Sequence, residues 1–197
     1  MKIGIIAVQG DFLEHAEIVR EIGGEPVYVK KPMDLEGIDA LIIPGGESTS
    51  IGKLLSRAGL EERVRELALE GMPVLGTCAG AILLAKRVTD RRVGEVKQPL
   101  LGVMDISVVR NFYGRQRESF ETSVEVEGVG KVRAAFIRAP AIDQAWGSAR
   151  IISYLDFPPY GRTGVAAIQK NVIAVTFHPE ITGDYSLHRY ILTLGKR

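Results

Sequence analysis

Two periodicities alternate along the first half of the chain. Lys2–Val8, Ala40–Ile43 and Pro73–Thr77 are near-continuous apolar runs, the pattern of strands buried on both faces. Between the first two runs, Phe12, Ala16 and Val19 recur at helical spacing across Phe12–Ile22, and Gly23-Gly24 closes that helix. Pro26–Val29 reads as a short strand. Ser50–Ala58 and Leu60–Glu70 read as helices ended by Gly59 and Gly71, and Ala79–Val88 as a further helix. Strands that alternate with helices predict a parallel sheet covered on both faces, because parallel connections need crossovers.

The second half has a different rhythm. Val103–Val109 and Glu121–Val126 alternate in and out. Val132–Ile137, Arg150–Leu155, Val165–Gln169 and Val172–Phe177 follow at short spacing, with little room for helices until Asp184–Leu194. This predicts antiparallel strands added to the parallel core. The expected class is α/β, a three-layer and mostly parallel central sheet flanked by helices, with antiparallel additions in the C-terminal half. No repeat, low-complexity tract or linker interrupts the pattern, so residues 1–197 are expected to form a single domain.

Composition narrows the partners. The chain has 197 residues, 46% hydrophobic and 25% charged, and a formal net charge of +1. So balanced a charge does not favour nucleic acid or an anionic membrane as partner. The apolar start is short and soon followed by Asp11 and Glu14, so it reads as a strand and not a leader. No apolar run approaches the ~18–20 residues that span a bilayer, and a cytoplasmic protein is expected. There is one cysteine, which excludes an internal disulfide, and the sequence shows no Cys/His cluster to hold zinc.

That cysteine lies in Gly76-Thr77-Cys78-Ala79-Gly80, between an apolar strand and an apolar helix. The arrangement is a nucleophile elbow with Cys in place of Ser. Small neighbours allow the sharp turn, and the helix starting at Ala79 would aim its free N–H groups and positive end at the sulfur, favouring thiolate. The bland alternative is a tight turn that happens to hold a buried Cys. A second motif, Phe177-His178-Pro179-Glu180, ends the last apolar strand. Residues i and i+2 of an extended chain face the same way, and Pro179 keeps its neighbour extended. His178 can then take the thiol proton while Glu180 fixes its tautomer. His15 and His188 have no such company and are expected on helix surfaces, His15 near the active-site edge. A third motif, Pro44-Gly45-Gly46-Glu47-Ser48-Thr49, follows a buried strand. Backbone N–H groups of Gly45 or Gly46, together with that of Ala79, suit an oxyanion hole. Glu47 and Ser48 suit a polar substrate head, or Ser48 or Thr49 serves as a helix N-cap.

Together these motifs resemble the class I, triad-type glutamine amidotransferases, which have a flavodoxin-like core. The likeness narrows to the glutaminase subunits of pyridoxal 5′-phosphate synthase on Arg110-Asn111, Gly114-Arg115-Gln116, Ser119-Phe120-Glu121 and Phe136-Ile137-Arg138-Ala139-Pro140, and it runs from the first strand to the last helix. The resemblance implies Cys78 as nucleophile, with His178 and Glu180 completing the triad. It implies L-glutamine held by Gly46, Glu47, Ser48, Arg110, Ile137 and Arg138. An arginine suits the α-carboxylate and Glu47 the α-ammonium. It also implies no metal or organic cofactor, and a barrel-type synthase subunit as partner in a large hetero-oligomer. Two rivals share single features: a stand-alone cysteine hydrolase or peptidase, and a non-catalytic redox-sensing relative. The first does not explain Glu two residues after His or the Arg110–Glu121 stretch, and in the second His178 and Glu180 would be dispensable. The segments Thr89–Pro99 and Asp143–Ala149 carry no signature.

Overall fold

The computed structural model describes residues 1–114 and 119–194. The chain begins β1 (Lys2–Ile6), α1 (Phe12–Glu21), β2 (Glu25–Val29), β3 (Ala40–Ile43), α2 (Ser48–Arg57), α3 (Leu60–Leu69), β4 (Val74–Thr77), α4 (Ala79–Leu84) and β5 (Ala85–Asp90). It continues β6 (Gly94–Glu95), β7 (Met104–Arg110), β8 (Phe120–Val126), β9 (Gly130–Phe136), β10 (Ala141–Ala145), β11 (Arg150–Phe157), β12 (Gly161–Gln169), β13 (Val172–Val175) and α5 (Ser186–Leu194). The main sheet has the order β2-β1-β3-β4-β13-β12-β10-β7-β5-β6, with β11 paired to β12. Strands β2, β1, β3, β4 and β13 are mutually parallel, and β12, β10 and β11 add antiparallel pairings. The expected α/β class, with a parallel core and antiparallel additions, is the architecture found.

Period-two alternation divides the apolar strand residues between two cores. Leu41, Ile43 and Val74 pack with Ile51 and Leu55 of α2 and Val64 of α3 on one face. Ala40, Ile42 and Leu75 pack with Ala16 and Val19 of α1 and Leu187 and Ile191 of α5 on the other. Both faces being covered explains why these strands read as unbroken apolar runs. The hairpin β8–β9 forms a second, two-stranded sheet. An aromatic cluster ties it to the second core: Phe120 stacks on Phe157 at 4.1 Å and on Phe136 at 4.8 Å, and Phe136 meets Phe177 at 5.5 Å. Such ring pairs contribute about 0.5–1.5 kcal/mol each beyond their area burial.

One element departs from the expected pattern. The helix read over Ala79–Val88 stops at Leu84, and Ala85–Asp90 runs as a strand parallel to β7. The Leu83 carbonyl accepts from the N–H groups of Leu101 (2.8 Å) and Gly102 (3.2 Å), contacts made by a distant segment. Ala85 turns to an extended conformation, and β-branched Val88 and Thr89 then suit β5. Among the described residues, no helix is long and apolar enough to cross a membrane.

Candidate active site

Strands β4 and β13 are neighbours, with Thr77 opposite Val175. Both motifs that follow these strands therefore emerge at one rim of the sheet, although Cys78 and His178 are a hundred positions apart in the chain. The N–H of Cys78 donates to the Val175 carbonyl at 2.8 Å, which pins the elbow to the neighbouring strand. Cys78 has φ 47° and ψ −100°, a backbone region that a side-chain-bearing residue enters only when its surroundings force it. The glycine at position 80 is a steric requirement of that turn: a Cβ there would lie 2.1 Å from the Ile43 carbonyl oxygen.

His178 is held at both ends. Its N–H donates to the Ala135 carbonyl at 2.8 Å, so the β8–β9 hairpin grips the backbone. Its Nδ1 lies 2.6 Å from Glu180 Oε1 and 3.4 Å from Asp11 Oδ2. A carboxylate only accepts, so Nδ1 carries the proton in this pair and Nε2 is left for the thiol side. Burial works against a charged imidazole here, but the charge and hydrogen bond of Cys78 and those of Glu180 outweigh it and raise the His178 pKa well above its ordinary value. Burial also raises the Glu180 pKa, with hydrogen bonding and charge from His178 opposing it. Gly45 is required beneath the ring: a Cβ would stand 2.4 Å from His178 Cε1.

Cys78 and His178 line a cleft with Gly46, Glu47, Ser48, Arg110, Ile137 and Arg138, all the residues expected to hold substrate. Gly45, Ala79 and Glu180 are buried behind its wall. Glu47, and neither Ser48 nor Thr49, is the N-cap of α2: its carboxylate accepts from the N–H groups of Thr49 (3.0 Å) and Ser50 (2.8 Å). Burial opposes its charge, yet these bonds and the Ser50 hydroxyl hold its pKa below the usual carboxylate value. Arg110, at the end of β7, approaches Glu47 Oε1 at 3.7 Å and donates through Nη1 to Gln98 Oε1 (2.7 Å) and Thr49 Oγ1 (3.2 Å). Arg138 is exposed and has φ 46°. Arg115 and Gln116 lie outside the described residues.

Three residues of this neighbourhood escaped the sequence reading. Gln98 comes from the segment that carried no signature, yet its Oε1 also accepts from Ser48 Oγ at 3.3 Å, so it links α2 to Arg110. His15 and His188 are not surface residues. Both are fully buried, because His15 shares the Phe12–Ala16–Val19 stripe and His188 sits beside Leu187 and Ile191 on the inner face of α5. That helical spacing was the signal that could have placed them inside.

A doubly covered parallel sheet whose rim brings a cysteine elbow to a buried His–Glu pair is the architecture of the class I glutamine amidotransferases. Residues 5–194 match the SNO glutamine amidotransferase family, and the chain belongs to it. It is 59% identical to the pyridoxal 5′-phosphate synthase subunit PdxT of Hyperthermus butylicus, over 98% of this chain and 96% of that one. It is 54% identical to the protein of the same name from Aeropyrum pernix, over the full length of both. A crystal structure described as a glutamine amidotransferase superposes with a TM-score of 0.89 at 45% identity, covering 99% of each chain.

Proposed function

We propose that this chain, acting as one domain in the cytoplasm, hydrolyses L-glutamine to L-glutamate and ammonia for pyridoxal 5′-phosphate synthesis. The observation that carries the reading is the 2.6 Å pair of His178 Nδ1 and Glu180 Oε1 beside the strained Cys78. The family and the relatives named for pyridoxal 5′-phosphate synthase support the product.

The Cys78 thiolate attacks the side-chain amide carbon, and the C–S bond forms as the carbonyl becomes an oxyanion. Backbone N–H groups of Gly45 or Gly46 and of Ala79 receive that charge. The His178 imidazolium then gives its proton to the amide nitrogen, the C–N bond breaks and ammonia leaves. Neutral His178 next takes a proton from water, whose oxygen attacks the thioester. Glutamate departs and the thiolate returns. Arg110 and Arg138 offer the cations for the substrate α-carboxylate, and Glu47 the anion for its α-ammonium. Gly46, Ser48 and Ile137 complete the wall.

Ammonia released into water protonates and ceases to be a nucleophile, so its use requires a docked acceptor enzyme. A barrel-type synthase subunit in a large hetero-oligomer fits that need. Glutamate release, measured with and without that synthase, tests the reading: docking is expected to raise a weak activity. Full activity of the chain alone would overturn the docking requirement, and no glutamine hydrolysis in either condition would overturn the assignment.

A further inference from the structure

Behind the triad lies a buried chain of side chains that the proposed reaction does not use. Glu180 turns Oε1 to His178, while its Oε2 is buried and makes no hydrogen bond. His15 Nε2 lies 3.6 Å from Oε2, and this nitrogen also lies 3.1 Å from Thr77 Oγ1. The other ring nitrogen of His15, Nδ1, meets His188 Nε2 at 2.8 Å. His188 Nδ1 is buried without a partner.

These contacts fix where the protons sit. Burial, with the neighbouring histidine charges added for His15, pushes the pKa of His15 well below its ordinary value, and burial brings His188 to about 4, so both rings are neutral near neutrality. A neutral imidazole carries one N–H. Suppose His15 held it on Nδ1. It would donate to His188 Nε2, the His188 proton would then sit on the partnerless Nδ1, and the His15 Nε2 lone pair would face a carboxylate. A buried donor without an acceptor and a lone pair against an anion are both costly. The opposite assignment removes both faults. His188 donates through Nε2 to His15 Nδ1, its bare Nδ1 is only an unused acceptor, and His15 turns an N–H edge towards Thr77 Oγ1 and Glu180 Oε2.

We infer that His15 is a positioning residue, locked by His188 as the Nε2–H tautomer, whose donor edge steadies the second oxygen of the Glu180 carboxylate and so the orientation of His178. The inference rests on the reading of Glu180 as part of the triad. It accounts for two histidines buried in an otherwise apolar layer, on α1 and α5, which the sheet brings together behind the elbow. The other charged or titratable groups that face this chain are Asp11 and His178 towards Glu180, Cys78 beyond His178, and Asp184 towards His188.

The tautomer is read directly by long-range proton–nitrogen correlation NMR on the unsubstituted full chain. His15 is expected neutral and protonated on Nε2 between about pH 6 and 9. A proton on Nδ1, or a charged His15 in that range, overturns the inference whatever the variants do. The mechanistic consequence is read with the synthase present, comparing His15→Leu with His15→Gln, whose amide keeps a donor near the Nε2 position. For His15→Leu, kcat is expected to fall at least about tenfold with KM within about twofold. Its acid limb in kcat/KM moves to higher pH, because a carboxylate that no longer faces the positive end of an N–H dipole takes a proton more readily. His15→Gln restores the limb towards that of the unsubstituted chain. A limb that stays in place in His15→Leu, or shifts equally in both variants, overturns the inference. Should His15→Leu fail to fold, the tautomer measurement decides alone. Cys78→Ala in the same assay separates the premise: hydrolysis surviving that substitution would sink the triad reading itself, independently of His15.

Discussion

The residue just before Cys78, Thr77, pairs in parallel register with Val175, so β4 and β13 end together and deliver Cys78 and His178 to one rim. Strand pairing thus does for these two side chains what no local sequence signal does. The proposed chemistry depends on that register holding, since a slip of one residue would turn one of the two motifs to the opposite face.

Glu180→Gln keeps the size of the side chain but removes the anion that orients His178 Nδ1–H. The expected result is a fall in kcat of about 100- to 10,000-fold, with little change in KM, as for loss of the orienting carboxylate in other triads. Steady-state glutamate release checks it. A variant within twofold of the unsubstituted enzyme would remove Glu180 from the mechanism.

Gly45→Ala tests the packing beneath the imidazole. The added methyl meets His178 Cε1 at 2.4 Å and Asp11 Oδ2 at 2.8 Å, so the ring must move. A displacement near 1 Å costs about 100-fold in rate. The fall is expected in kcat, and a crystal structure of the variant should show the ring displaced from Glu180.

Gln98→Leu removes the acceptor that receives Arg110 Nη1 at 2.7 Å. Arg110 then loses its main anchor on the cleft wall. KM for glutamine should rise about tenfold, while kcat stays within about twofold, the signature of weakened ground-state binding. Equal losses in both parameters would instead place Gln98 close to the reacting atoms.

Acid should destabilise the fold in a specific window. His188 has a folded-state pKa of about 4 against an ordinary 6.5, so the unfolded chain binds its proton first as pH falls. The stability it supports is complete above 6.5 and is lost on the way down to about 4, at a cost of about 3 kcal/mol. His15, also lowered, acts in the same direction, and Glu180, raised by burial, offsets part of the loss. His178 has the opposite sign: its raised pKa gives stability that is full below its unfolded value and fades only as pH rises through the folded one. Urea unfolding from pH 7 to 4 measures the sum, and the decline should be smaller in His188→Gln.

The sequence by itself determined the parallel α/β core, because strands covered on both faces must be apolar at every position, as Ala40–Ile43 is. It also determined the sharp turn at Cys78 and the pairing of His178 with Glu180, since a turn and an i, i+2 pair are local geometry. Where α4 ends was not legible, because the contacts that close it at Leu83 come from Leu101 and Gly102. Nor were the roles of Gln98, His15 and His188, whose partners lie at distant positions: His15 and His188 are 173 residues apart. Long-range pairings carry no periodic signal of their own. Only the sheet order, which sets β4 beside β13 and packs α1 and α5 on the same face, decided which of the buried polar groups meet.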